Sequence, residues 1–181
     1  MLFGLQPSCN IFLVDEHRSH LEEIQHEFHD PSKYRIRHYS SDAKFLKAME
    51  ENKPHRGSIN ILILGSSSNG DQEKKMHDIR AMVKTVADLP CDIETVVLLP
   101  VVEQKTENDL LSLGVYAVIQ NNENAFMRIT NHMRGIVSKK MFEKEKRFTR
   151  ITLTVFFLFV LAVLVAALIT LMVVPEFFSL R

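Results

Sequence analysis

One stretch constrains this chain more than any other: Ile151 to Val174, ITLTVFFLFVLAVLVAALITLMVV, has no charged residue, and its hydroxyls are limited to Thr152, Thr154 and Thr170. A soluble core helix keeps a polar stripe for water, whereas this segment is apolar on every face, as a helix surrounded by lipid must be. At 1.5 Å rise per residue it would be about 36 Å long against a hydrocarbon core of about 30 Å, enough to cross with some tilt. The sequence therefore predicts a transmembrane helix over 151–174. Pro175 follows at once, and Glu176 to Arg181 form a tail too short to fold.

The flanks set the direction of crossing. Upstream stand Lys139, Lys140, Lys144, Lys146, Arg147 and Arg150, and downstream only Arg181. Lysine and arginine are retained on the cytoplasmic side, so the N-terminal part is expected in the cytoplasm and the 175–181 tail outside. The opening MLFGLQPSC has neither the basic start nor the apolar core of a signal peptide. Glu143 and Glu145 dilute the basic run, which reads as a topology signal and not as a lipid-specific site.

Of the 181 residues, about 150 remain outside the membrane, a comfortable length for one domain with a real core. The expected organisation is a folded domain over 1–137, a basic juxtamembrane helix or linker over 138–150, the span over 151–174 and the tail over 175–181. Lysine plus arginine and aspartate plus glutamate number 22 each, so the chain lacks the positive field with which nucleic-acid binders attract phosphates. Cys9 and Cys91 are too few and too far apart for a disulfide framework and are expected to be reduced thiols.

Inside the soluble part, strands and helices alternate. Asn10 to Val14 is a short apolar run ending in the acidic pair Asp15 and Glu16, and Ser19 can cap a helix to His29 with Leu21, Ile24 and Phe28 on one face. Tyr34 to Tyr39, YRIRHY, alternates as a strand with one wet face does, and Ser40, Ser41 and Asp42 offer caps for a helix from Lys44 to Glu51. Ile59 to Leu64, INILIL, has the continuous apolarity of a strand covered on both sides. A glycine- and serine-rich loop, Gly65 to Gly70, leads to a helix over Asp71 to Leu89, then a strand over Thr95 to Leu99, a helix over Thr106 to Leu113 ended by Gly114, a strand over Val115 to Ile119, and a long helix from Glu123 with Phe126, Ile129, Met133 and Ile136 inward. Five strands alternating with five helices predict an α/β fold, a parallel sheet with helices on both faces, whose site lies at the carboxyl ends of the strands.

FLVDEHRSHLEEIQHEF resembles the opening of a bacterial response-regulator receiver domain, and INILIL, TVVLLP and LGVYAVIQN fall where that family has strands three, four and five. The likeness covers Asn10 to Val137. It implies a flavodoxin-like five-stranded sheet of order 2-1-3-4-5. It also implies a phosphorylation site in which an aspartate ending strand three and an acidic pair after strand one hold Mg²⁺.

Set on that pattern, Asp15 and Glu16 match the acidic pair, but Gly65 stands where the phosphoacceptor should be. Pro100 replaces the Ser or Thr after strand four, and Asn121 replaces the lysine after strand five. An acyl phosphate needs a carboxylate, a divalent ion and a cation, and one part of that set survives, so phosphorylation is not expected. Asp15 and Glu16 retain the chemistry for a weak divalent ion, although exposed carboxylates are more often simply solvated; the reading is no metal and no cofactor. His26 and His29 can share a helix face but lack a third ligand, and Ser66, Ser67 and Ser68 lack both a nucleophile-elbow pattern and a phosphate-cradle glycine pattern. No enzyme is supported.

The expectation is a pseudo-receiver in a bacterial inner (cytoplasmic) membrane, acting as a protein-interaction adaptor in signalling. The alternative is an accessory single-pass subunit of an integral membrane complex for transport, secretion or motility, and a receiver-like pocket for a small ligand ranks third. Ala162, Ala166 and Thr170 repeat every four residues, a small-residue stripe that lets another helix, including a second copy, approach closely. The partners expected are thus the membrane and another protein, and not nucleic acid.

Overall fold

A computed structural model describes residues 9–15, 21–54, 57–65 and 72–173. Chain order is β1 (Cys9–Val14), α1 (Leu21–Glu27), β2 (Tyr34–Tyr39), α2 (Asp42–Glu51), β3 (Ile59–Gly65), α3 (Gln72–Ala87), β4 (Glu94–Leu99), α4 (Gln104–Ser112), β5 (Ala117–Gln120) and α5 (Ala125–Val173). The five strands form one parallel sheet of order β2-β1-β3-β4-β5. One rung crosses the whole sheet: Tyr39, Val14, Leu64, Val97 and Val118 lie in register.

The order follows from which strands must be covered. β1, β3 and β4 are mostly apolar, are buried along nearly all of their length and take the middle of the sheet. Alternating YRIRHY sits at an edge with Arg35 and Arg37 exposed, which blunts an otherwise open ladder. Two cores result, one per face. Ile11, Leu13, Ile61, Ile63 and Leu98 pack with Ile24 of α1 and with Ile129, Met133 and Ile136 of α5. Phe12, Leu62 and Val97 pack with Phe45 and Met49 of α2, Met82 and Val86 of α3 and Leu110 of α4. Side chains of this size each contribute about 1.5–3 kcal/mol when fully buried, which is why the central strands carry the stability.

Local signals end the helices where expected. Ser41 caps α2 by accepting from Lys44 N–H at 3.4 Å, and Gly114, at φ +92°, closes α4 with its N–H on Leu111 O at 3.0 Å. The elements shift by a residue or two from their sequence-derived bounds; at β5, Val115 and Tyr116 form the approach and not the strand. Leu46, Met76, Ile79 and Phe126 are half-buried, because they sit at the edges of their helices' inner stripes.

The two central strands also hold polar residues. Asn10 and Asn60 are level in register and buried, and Asn10 Nδ2 donates to Asn60 Oδ1 at 2.8 Å. Asn60 Nδ2 in turn donates to Asp92 O at 3.1 Å, and Asn60 Oδ1 accepts from Ser58 Oγ at 3.1 Å. A slip of one residue would strand both amides among apolar side chains, so the pair pins the register.

Cys9 opens β1 and is buried, Cys91 is half-buried, and neither is in a disulfide. Burial pushes the Cys91 thiol up, with Asp92 adding to that and Lys53 opposing it.

The chain divides into two compact units, residues 1–138 and 139–181. In the second, Thr149–Ile169 is a helical stretch of 21 residues with mean hydropathy 2.9, long and apolar enough to cross a membrane. Side chains 151–169 are exposed in the isolated chain. The hydroxyl of Thr154 donates to Arg150 O at 2.9 Å, so this polar group is satisfied within the helix, as lipid requires. The tail from Pro175, Ser19, Ser66 to Ser68 and the Thr170 side chain lie outside the described residues.

Candidate functional site

The carboxyl ends of β1 and β3 lie side by side, and the site is built there. Asp15 directly follows β1 and is 4% exposed. Both of its backbone groups are committed to the edge strand: its N–H donates to Tyr39 O at 3.2 Å, and its carbonyl accepts from His38 Nε2 at 2.8 Å. Because a carbonyl only accepts, the Nε2 of His38 carries the proton. These two bonds hold the Asp15 backbone and so fix where its side chain can go.

It goes across Gly65. A Cβ added at Gly65 would meet Asp15 Cγ at 2.9 Å, Cβ at 3.0 Å and Oδ1 at 3.2 Å. Real Cβ atoms do not approach so closely, so the carboxyl of Asp15 occupies the space that a side chain at position 65 would need. Glu16, the second member of the acidic pair, lies outside the described residues.

The other two positions sit across the sheet. Pro100 follows β4, and its carbonyl accepts from Gln120 Nε2 at 3.4 Å. Asn121 follows β5, is exposed, and donates its N–H to Leu99 O at 2.7 Å. The fold therefore brings Asp15 together with Gly65, and Pro100 with the Gln120–Asn121 end of β5, along one edge of the sheet. Among the described residues no group of three or more His, Cys, Asp or Glu is arranged to hold a metal ion. His26 and His29 are exposed, and His29 Nδ1 lies 3.1 Å from the carbonyl of His26, a local contact within the end of α1.

Beside Asp15 a cleft of about 200 Å³ opens between the start of α2 and one side of α3. Val14, Leu64, Ile79 and Met82 give it apolar lining, and Asp15, Ser40, Ser41, Asp42, Lys75 and Asp78 give it polar lining. The sequence reading missed this cleft and also His38. The signal for His38 was present: in YRIRHY it falls on the same side as Tyr34 and Ile36, which pack on the core, and not with the arginines. For Lys75 and Asp78 there was none, since both read as the wet face of α3.

No family model matches the chain, and no curated protein matches it. Solved structures do. A response regulator from Thermotoga maritima is similar at TM-score 0.58 and 11% identity over 72% of this chain and 98% of its own. A response regulator receiver domain protein, CheY-like, from Methanospirillum hungatei is similar at TM-score 0.56 and 14% identity, covering 75% of this chain and 98% of its own. A pilus assembly-related protein from Burkholderia pseudomallei is similar at TM-score 0.53 and 14% identity, over 76% and 96% of the two chains. The chain has the fold of response-regulator receiver domains, with a C-terminal apolar helix added.

Proposed function

We propose that this chain is a membrane-anchored pseudo-receiver, a receiver fold without phosphoryl chemistry that works by binding other proteins at the inner face of a bacterial cytoplasmic membrane. One observation carries the reading: at position 65 the acceptor is not merely replaced, because the space its side chain would fill is taken by Asp15, whose Cγ lies 2.9 Å from where a Cβ would stand. Pro100 lacks both hydroxyl and N–H, and Asn121 lacks the cation that would offset an acyl phosphate. With no acceptor side chain at position 65, the surface that remains useful is the protein's exterior, and catalysis is not part of this reading.

Anchoring is supported by the apolar helix at Thr149–Ile169 and orientation by the lysines and arginines that precede it. The full chain in nanodiscs, incubated with acetyl phosphate and Mg²⁺, is expected to keep its intact mass, and a stable added phosphate would overturn the pseudo-receiver reading. A second reading, an accessory subunit of an integral membrane complex, is favoured by Ala162 and Ala166, exposed four residues apart on the apolar helix. Affinity capture in mild detergent separates the two. Several substoichiometric soluble partners support the adaptor, and a single stoichiometric membrane protein supports the subunit.

A further inference from the structure

We propose that the outer edge of β2 accepts an extended acidic segment of another protein, which joins the sheet beside Tyr34–Tyr39 as an added strand. The inference rests on the reading above that the chain works by binding proteins, and it names a surface and a partner chemistry for that binding. β2 is the outermost strand on its side of the sheet, with β1 as its neighbour.

Register fixes which backbone groups are open. Cys9 N–H donates to Lys33 O at 2.8 Å and Asp15 N–H to Tyr39 O at 3.2 Å, with Cys9 level with Tyr34 and Val14 level with Tyr39. In a parallel pair the residues of a strand alternate, one turning both backbone groups to its neighbour and the next turning both away. Arg35, Arg37 and Tyr39 therefore bond to β1, and Tyr34, Ile36 and His38 face outward. Tyr34 N–H is taken by Asp30 O at 2.9 Å, and the His38 ring is held on the Asp15 carbonyl. The Tyr34 carbonyl and both backbone groups of Ile36 and of His38 have no hydrogen-bond partner among the described residues. A row of this kind is a template for one more strand.

The two faces of β2 state what that strand must carry. Arg35 and Arg37 are exposed on one face, two residues and so about 6.6 Å apart. Neither guanidinium has an ion pair or hydrogen bond among the described residues. On the other face Tyr34 and Ile36 are half-buried against the core that holds Ile24 and Phe28. An incoming strand has the same two-residue period, so acidic side chains at every second position stand beside the arginines, and apolar ones between them extend the row of Tyr34 and Ile36. The same charges decide against a second copy, because two β2 edges paired antiparallel about a two-fold axis would bring arginine beside arginine. The arginines close this edge to the chain itself and open it to carboxylates.

The test uses the full chain in nanodiscs of neutral lipid and a blocked peptide of about seven residues that alternates glutamate with valine. At about 5 mM peptide, ten times a Kd of about 0.5 mM, amide hydrogen exchange at Ile36 and His38 is expected to slow saturably by about tenfold. The amides of Arg35 and Arg37, already bonded to β1, are expected to change less than about twofold. A peptide with lysine in place of glutamate, and the glutamate peptide with N-methylated amides, are expected to give no protection. Arg35→Gln combined with Arg37→Gln, both at exposed positions, is expected to weaken binding at least tenfold while exchange at buried Ile61 stays as in the wild type. No protection with the glutamate peptide, equal protection with either control peptide, or unchanged affinity in the double variant would each overturn the proposal. Protection of Ile36 and His38 that grows with protein concentration alone would overturn it in favour of a second copy. Any of these results, with partners still captured in mild detergent, moves docking to another surface and leaves the wider reading standing; capture of no partner would remove that reading.

Discussion

The side chain that Gly65 lacks would begin 2.9 Å from Cγ of Asp15, on the neighbouring strand. Two residues fifty positions apart thus share one volume, and the choice at either one limits the other. That volume holds the carboxyl of Asp15, at the end of the neighbouring strand β1, whose backbone N–H and carbonyl are bonded to Tyr39 and His38.

Gly65→Ala is therefore expected to destabilise the α/β unit by about 1–3 kcal/mol, in the range of overpacking in a well-filled site. Shortening the opposing side chain should relieve the clash, so Asp15→Ala combined with Gly65→Ala should be less destabilised than the sum of the single changes. Chemical denaturation of the four proteins measures the coupling. Strict additivity would mean that the two side chains do not compete.

The proposed topology rests on the basic flank. Protease added to intact spheroplasts is expected to spare residues 1–138, and disruption of the membrane should expose them. Digestion of that unit before lysis would reverse the orientation.

The apolar helix makes a separate claim. If Ala162 and Ala166 form a contact face, Ala166→Phe should abolish cross-linking to a second copy or to a membrane partner while insertion and the soluble fold persist. Cross-linking at the wild-type level in that variant would move the interaction to the α/β unit.

Asp30 provides a pH marker in the turn between α1 and β2. Its carboxylate accepts from Ser32 Oγ at 2.6 Å and Ser32 N–H at 3.0 Å, and Lys33 Nζ lies 3.0 Å away. These hydrogen bonds, Ser32 first and Lys33 next, hold it at about 2 against an ordinary 3.8. The folded value is lowered, so the turn's contribution to stability is full above the ordinary value and is lost as pH falls from about 4 towards 2. Carboxyl NMR should follow Asp30 titrating near the bottom of that window, and Ser32→Ala should move it upward. A wild-type midpoint near 4 would contradict the turn geometry.

Much of the architecture is local information and could be read directly. The apolar run after Arg150, the period-two alternation of YRIRHY, the Ser41 cap and the Gly114 stop each concern residues within one or two turns of each other. The elements they define appear within a residue or two of their expected bounds. The identities Asp15, Gly65, Pro100 and Asn121 were likewise visible, as was the absence of a carboxylate at the end of INILIL.

What these residues do to each other was not visible, because it depends on register between strands separated by long stretches of chain. Periodicity shows which way a side chain faces within its own strand, but not which atom stands opposite. The pairing of Asn10 with Asn60 turns two apparent flaws in buried strands into a mutual hydrogen bond, and only parallel alignment makes that pairing possible. His38 reaches the Asp15 carbonyl because β2 lies beside β1. The cleft needs the ends of β1 and β3 together with the Ser40 to Asp42 start of α2 and a face of α3, four segments that no sequence window contains. Amino-acid order settles hydrophobic period, caps and charge; long-range packing decides that the empty position at Gly65 is filled by Asp15.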